Sequence, residues 1–138
     1  TFLMTDTGAG FYEGSTDITR TYAFGEVSQI MKDHFTLVAI SNLNLASPIF
    51  KKGCCGMNFD YLARKPFWDR GLDFNHGTGH GVGYLLNIHE GPAGFRYTYR
   101  AGESDAFQPG MVITDAPGIY IEGSHGVRLE NELLVCEG

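Results

Sequence analysis

The stretch His76-Gly77-Thr78-Gly79-His80-Gly81-Val82-Gly83 is the most specific part of this sequence. It is not a metalloprotease helix of the His-Glu-x-x-His type, because no Glu follows the first histidine and the glycines disfavour a helix. It is not a dinucleotide-binding loop either, since Val82 and Tyr84 stand where a closing glycine is required. The stretch places two imidazoles on a backbone that can pack closely against its neighbours. One imidazole is suited to metal binding and the other to substrate contact.

A third imidazole, His89, follows soon after. Three of the five histidines therefore lie within residues 76–89. A single histidine is usually an ordinary surface or core residue, but this clustering indicates a functional site. We interpret His34, which lies in a predicted helix, as an ordinary surface or half-buried residue because nothing near it in the sequence resembles a site.

Two aspartates near the start of the chain are candidate metal ligands. Asp6 ends a predicted strand over Phe2–Asp6, Thr7–Gly10 reads as a turn, and Asp17 lies in an alternating strand over Thr16–Phe24. The two strands are predicted to form a hairpin with Asp6 and Asp17 on neighbouring strands. Asp is depleted in strands, so Asp17 calls for an explanation. It either bridges two cations, as such carboxylates do when the ions lie about 3.5–4 Å apart, or bonds Thr16 or Arg20.

Glu130 lies in a predicted strand over Val127–Val135, with Arg128 on the same face because side chains alternate along a strand. An arginine beside a metal-binding carboxylate orients the acid and balances its charge. The alternative is a plain ion pair on the strand surface.

The order of elements predicts an α+β fold. Ser28 caps a predicted helix that runs to Ala46, and a second helix opens at Asn58 or Asp60 and reaches Arg70, kinked or restarted at Pro66. The remaining predicted strands are Val82–Ile88, Val112–Ala116, Ile119–Ile121 and Val127–Val135.

Composition excludes several functions. The net charge of −6 argues against a surface for nucleic acid or anionic membrane, and no apolar run approaches the roughly 20 residues that span a bilayer. Three cysteines, two of them adjacent, make a poor disulfide framework, so we expect a cytoplasmic protein. Both ends lie in core-like segments, which predicts a fragment of a longer chain.

Several stretches, in order from about residue 3 to residue 135, resemble the Xaa-Pro aminopeptidase (aminopeptidase P) branch of the pita-bread metallopeptidases. Prolidase and methionine aminopeptidase share that fold but match the histidine segments less well. The resemblance implies an incomplete pita-bread fold of antiparallel strands with two helices, residues 1–138 being the C-terminal part of the catalytic domain. The matching stretches are Asp6–Ala9, Gly14–Thr21, His76–Gly83, Asn87–Pro92, Pro117–Tyr120 and Val127–Asn131.

The resemblance also implies roles for individual residues. Asp6 resembles the terminal ligand of one metal, and Asp17 and Glu130 resemble the carboxylates that bridge both metals. His80 resembles the single histidine ligand of the second metal. The remaining candidates are the substrate-side histidines His76 and His89 and the supporting arginine Arg128.

Ala116 departs from the family pattern, which has Glu immediately before Pro-Gly. That Glu is a ligand of the metal held by the histidine and the expected general base. Asp115 cannot replace it, because adjacent strand residues point to opposite faces, and Thr114 is a weak ligand. We therefore expect reduced metal occupancy. A second departure is that the first half of the family's catalytic domain, with another substrate-side histidine, is missing.

The resemblance implies a hydrolase that removes an N-terminal residue preceding proline. It implies two divalent cations, most often Mn²⁺ and sometimes Zn²⁺ or Co²⁺, a peptide substrate with proline in second position, and a homodimer. Ala116 puts the activity of this chain in question. The alternative is an inactive pseudo-peptidase that binds peptides or a partner protein.

Overall fold

The computed structural model describes residues 1–138. It contains two helices and eight strands, all paired antiparallel. In chain order they are β1 Phe2–Phe11, β2 Gly14–Ala23, α1 Gln29–Ala46, α2 Asp60–Trp68, β3 Gly79–His80, β4 Gly94–Phe95, β5 Val112–Asp115, β6 Gly118–Ile121, β7 His125–Arg128 and β8 Asn131–Leu134.

The predicted hairpin is confirmed, and its register places both aspartates on one face. Asp6 lies opposite Thr19 and Gly8 lies opposite Asp17, and directly opposed residues share a face of the sheet. The predicted turn over Thr7–Gly10 is wrong, because β1 continues through it. A Cβ at Gly8 would lie 2.8 Å from the carbonyl oxygen of Thr16, so this glycine permits close strand approach rather than a turn.

Both predicted helices are present. The Ser28 hydroxyl accepts the backbone N–H of Met31 over 3.4 Å and caps α1. Helix α2 continues through Pro66 and ends at Trp68, two residues before the predicted end. A proline at 66 leaves the carbonyl of Leu62 without its helical donor, and the side chain of Asn44 donates to that oxygen over 3.5 Å.

Two of the predicted strands are corrected by the structure. Residues 82–88 form an irregular loop, in which Leu86 has a φ of 75° and the N–H of Gly83 donates to the carbonyl of Asn87 over 3.0 Å. This local turn uses the backbone groups that a strand would need. The predicted strand Val127–Val135 is divided, since β7 pairs with β6 and β8 pairs with β5. Glu130 lies at the break, where its N–H donates to the carbonyl of Thr19 over 3.0 Å.

Two apolar clusters hold these elements together. One contains Leu45 and Ala63 from the two helices with Phe95 and Ile113 from β4 and β5. The other joins α1 and α2 to the β6–β7 hairpin, through Leu37, Val38, Phe67, Phe74, Ile119 and Val127. Burial of these side chains packs β4, β5 and the β6–β7 hairpin against the two helices, beside the β7–β8 junction where Glu130 lies. Neither helix has the length and apolar character needed to cross a bilayer.

Candidate metal centre

Three of the predicted ligands converge in the structure. Asp17, His80 and Glu130 each offer one ligand atom, and these atoms lie within 4.8 Å of one another. The Nε2 atom of His80 is 3.4 Å from Oδ2 of Asp17. The three residues come from β2, β3 and the β7–β8 junction, so the cluster exists only because these elements pack together.

The backbone around His80 leaves one ring nitrogen free for a metal. Its Nδ1 donates to the carbonyl of Gly81 over 2.9 Å, so Nε2 carries the lone pair and faces Asp17. The N–H of His80 donates to the hydroxyl of Thr114 over 3.2 Å. A Cβ at Gly79 would lie 1.8 Å from the carbonyl oxygen of Thr114. The glycine-rich backbone therefore permits the close packing that the sequence predicts.

Glu130 is buried, and its environment favours the protonated acid. Burial raises the pKa of its carboxyl group, and the charges of Asp17 and Asp6 raise it further. Its Oε2 accepts the hydroxyl of Thr19 over 2.8 Å. The interpretation of Glu130 as a surface partner of Arg128 is wrong, because Arg128 donates to Asp6 instead.

Asp6 lines the same cavity but stands outside the close cluster. Its Oδ2 accepts Nη2 of Arg128 over 2.6 Å, and its side chain is 53% exposed. Asp17 makes neither of the alternative contacts considered for it, since Arg20 donates to Thr19, Glu130 and Asn131 and the Thr16 hydroxyl accepts the N–H of Ala9. Asp17 instead presents its Oδ2 to Nε2 of His80 over 3.4 Å.

The donor set fits a hard divalent cation. Three carboxylates of like charge and one imidazole with a free lone pair face one space, and oxygen with nitrogen ligands suit such ions. Burial first, and then the charges of Asp17 and Asp6, raise the pKa of Glu130, and a bound cation would offset that crowded negative charge. Asp17, His80 and Glu130 would hold such a cation, and Asp6 lines the same cavity beside them.

His76 lies on the other side of the cavity with both ring nitrogens engaged. Its Nδ1 donates to the carbonyl of Gly77 over 2.9 Å, and its Nε2 accepts the hydroxyl of Tyr120 over 2.8 Å. Burial lowers the pKa of His76, and the positive charges of Arg128 and Arg64 lower it further. His76 is therefore a neutral imidazole at neutral pH.

His89 belongs to the same site. Its ring centroid lies 4.1 Å from that of His80, at an angle of 50° between the rings. The residue is exposed and lines the cavity. All three histidines of residues 76–89 thus meet at one cavity, as their clustering predicts.

Ala116 lines this cavity, whose volume is about 1210 Å³, together with the four predicted ligands. Its N–H donates to the carbonyl of Thr78 over 2.7 Å. Asp115 does not line the cavity, and both its carboxyl oxygens are buried without a hydrogen-bond partner. Burial, with a contribution from the charge of Glu130, raises the pKa of Asp115 to about 8. A side chain at 116 points into the site and one at 115 does not.

A sequence model of Metallopeptidase family M24 matches residues 1–137. This chain belongs to metallopeptidase family M24. The M24 chain is 46% identical over 134 residues to the probable Xaa-Pro aminopeptidase P of Botryotinia fuckeliana, an alignment that covers 97% of this chain and 20% of that protein. It therefore spans about a fifth of the length of that curated relative.

Solved structures confirm the predicted fold class of the M24 chain as pita-bread. The X-prolyl aminopeptidase of Caenorhabditis elegans, described as a cytosolic enzyme with a di-nuclear active site, superposes with a TM-score of 0.87 at 40% identity, over 95% of this chain and 21% of that one. Prolidase from Pyrococcus furiosus superposes with a TM-score of 0.84 at 32% identity, over 99% of this chain and 39% of that one.

Three further residues of the M24 chain contribute to the site, although sequence analysis did not single them out. Thr19 contacts Glu130 and Arg128, Glu132 accepts the N–H of Asp17 over 2.8 Å, and Tyr120 contacts His76 and Arg128. The only signal in the sequence is that each lies inside or beside a quoted stretch. Their partners are distant along the chain, so no local pattern identifies them.

Proposed function

We propose that the protein containing this chain is a dinuclear-metal peptidase that removes an N-terminal residue preceding proline. The observation that supports this proposal most directly is the convergence of Asp17, His80 and Glu130, with Asp6 beside them, in one open cavity. The relatives that share the family are named for Xaa-Pro aminopeptidase and prolidase activity. Residues 1–138 are then the C-terminal part of the catalytic domain.

In this proposal Asp6, Asp17, His80 and Glu130 hold two divalent cations, most often Mn²⁺, with Zn²⁺ or Co²⁺ as substitutes. When bound, such cations polarise a carbonyl and lower the pKa of a water molecule. His76 and His89 border the open side of the cavity and contact the scissile peptide. Tyr120 donates to Nε2 of His76 and so holds the imidazole in one tautomer.

Ala116 is proposed to reduce both metal occupancy and rate. A methyl group occupies a position on the cavity wall where a Glu would add a fifth ligand and a general base. Loss of a general base alone commonly costs about 10²–10⁴ in rate. Asp115 gives no compensation, because its carboxyl group is buried away from the cavity.

The cytoplasm is the proposed location, supported by the cytosolic description of the Caenorhabditis elegans relative. A peptide with proline in second position is the proposed substrate. The proposed homodimer rests on the family resemblance alone.

The second candidate function is a pseudo-peptidase that binds peptides or a partner protein without turnover. Ala116 is the observation that favours it. The intact geometry of Asp17, His80 and Glu130 argues against it, because drift after loss of activity is expected to disturb more than one position.

One experiment separates the two functions. Ala116→Glu is introduced into the full-length protein, Mn²⁺ is added, and release of the first residue from an Xaa-Pro peptide is followed beside the unchanged protein and a His80→Ala control. We expect activity to rise with Ala116→Glu and to vanish with His80→Ala. Two bound metals without peptide cleavage would rule out the peptidase function.

A further inference from the structure

A buried ion pair in α2 lies next to the histidine-bearing segment. Nε of Arg64 donates to Oδ2 of Asp60 over 2.7 Å, and the two residues are only 1% and 0% exposed. Removing both charges from water is costly, so a buried pair is weak evidence for a stabilising role. The remaining contacts of the pair therefore need an explanation.

Nη1 of Arg64 also pairs with Oδ1 of the partly exposed Asp73 over 2.6 Å, and the other contacts lead to the segment that enters the site. Nη1 of Arg64 donates to the carbonyl of Phe74 over 2.7 Å, and Nη2 donates to the carbonyl of His76 over 2.8 Å. Oδ1 of Asp60 accepts the hydroxyl of Thr78 over 2.5 Å. The planar guanidinium holds these donors at fixed angles, so the pair fixes the positions of Phe74, His76 and Thr78 relative to α2.

The segment has little stiffness of its own between these anchors. Gly77 and Gly79 separate His76, Thr78 and His80, and glycine leaves the backbone free to adopt other conformations. On the far side, the carbonyl of Thr78 accepts the N–H of Ala116 over 2.7 Å. Thr78 is thus held between α2 and the cavity wall, midway between the two imidazoles.

We propose that Arg64 and Asp60 are positioning residues that fix the segment His76–His80 relative to α2, and so fix where its two imidazoles enter the cavity. Through Thr78 and the carbonyl of His76, they align Nε2 of His80 with Asp17 and Nε2 of His76 with Tyr120. Arg64 and Asp60 act through the backbone of this segment, because neither residue lines the cavity. It rests on the proposed function only in assuming that His80 binds a metal.

The test compares Thr78→Val with Thr78→Ser in the full-length protein. Valine keeps the shape of threonine but removes the donor to Asp60, whereas serine keeps the hydroxyl. We expect Thr78→Val to weaken Mn²⁺ binding about 10-fold, and Thr78→Ser to stay within about twofold of the parent. Isothermal titration gives the affinity, and a thermal scan records that each variant is folded.

Two further variants separate positioning from general stability. Arg64→Lys keeps the charge but loses the planar fork, and it is expected to weaken Mn²⁺ binding like Thr78→Val. Lys65→Met removes an exposed ion pair with Asp69 on the same helix and is expected to leave the affinity unchanged. If Thr78→Val and Lys65→Met both bind Mn²⁺ with the affinity of the parent protein, the proposal is overturned.

A second measurement needs no metal. The ¹⁵N chemical shift of Nε2 of His76 reports its hydrogen bond to Tyr120. We expect this chemical shift to differ from that of the parent protein in Thr78→Val and to be unchanged in Thr78→Ser. If the parent protein binds no Mn²⁺, the proposed function fails, and the His76 shift then decides the positioning proposal alone. An unmoved shift in Thr78→Val would overturn it.

Discussion

Nη2 of Arg128 lies 2.6 Å from Oδ2 of Asp6, and the two residues are 122 positions apart in the chain. The same guanidinium donates to the hydroxyl of Thr19 over 3.2 Å and to that of Tyr120 over 3.1 Å. Thr19 in turn donates to Glu130, and Tyr120 donates to His76. One arginine therefore connects the acidic side of the cavity with the histidine side.

Replacement of Arg128 should disturb both sides together. Arg128→Lys keeps a positive charge but cannot reach Asp6, Thr19 and Tyr120 at once, because an ammonium group lacks the planar fork. We expect a loss of about 10–100-fold in Mn²⁺ affinity, the usual cost of removing such a supporting partner. Titration of the full-length variant measures the loss, with Arg100→Lys on the exposed loop as the control. Equal affinities in the two variants would contradict this role.

Glu130→Gln should stabilise the metal-free protein while removing its response to metal. Burial raises the pKa of Glu130 and repulsion from Asp17 and Asp6 raises it further, and a neutral glutamine avoids both costs. We therefore expect the variant to have a higher free energy of unfolding than the parent when no metal is present. Added Mn²⁺ should stabilise the parent, by about 2.7 kcal/mol at 100 times its Kd, but not the variant.

Thermal unfolding with and without Mn²⁺ checks the Glu130 prediction. Glu122→Gln, in the exposed β6–β7 turn, changes the net charge equally and should respond to the ion like the parent. Equal stabilisation of Glu130→Gln and the parent by Mn²⁺ would remove Glu130 from the ligand set.

Asp115 should make the protein less stable as the pH rises. The folded protein holds the Asp115 proton up to a pKa of about 8, whereas the unfolded chain releases it near the ordinary pKa of 3.8. The unfolded state therefore binds fewer protons between these values, and stability falls by up to about 1.4 kcal/mol per pH unit. Asp115→Asn should flatten this slope in urea unfolding between pH 5 and pH 8 (roughly the span between the two pKa values). The exposed Asp105→Asn should keep it.

His34 should act in the opposite direction at acidic pH. Its Nδ1 lies 2.8 Å from Nε2 of His125, so one of these nitrogens donates a hydrogen bond and the other accepts it. Burial lowers the pKa of His34, and the nearby charge of His125 lowers it further. Below the unfolded value of 6.5 the unfolded chain binds more protons, so stability falls as the pH falls.

His34→Asn should therefore weaken the acid sensitivity of the protein. Unfolding in urea at pH 7 and pH 5, on either side of the ordinary histidine pKa of about 6.5, measures the change. If the parent protein and the variant lose the same stability on acidification, protonation of His34 is not the cause of the acid sensitivity. His34 does not line the metal centre, but it is buried at 9% exposed, so its interpretation as a surface or half-buried residue is wrong.

The sequence alone determined the features that depend on near neighbours. Alternation predicted the β1–β2 pairing that places Asp6 and Asp17 on one face, Ser28 predicted the start of α1, and the glycine-rich stretch predicted close packing around His80. The family resemblance indicated the candidate ligands. These signals are local because side-chain period, capping and glycine conformation act within a few residues.

The tertiary structure decided which distant groups meet. The predicted strand is interrupted at Glu130, and residues 82–88 form a loop. Arg128 donates to Asp6 rather than to Glu130, and the hydroxyl of Tyr120 bonds to His76. Each outcome depends on how elements from opposite ends of the chain pack together. These contacts form only when the core packs, because burial then requires each polar group to find a hydrogen-bond partner. The residues near each group in the sequence do not indicate which partner that is.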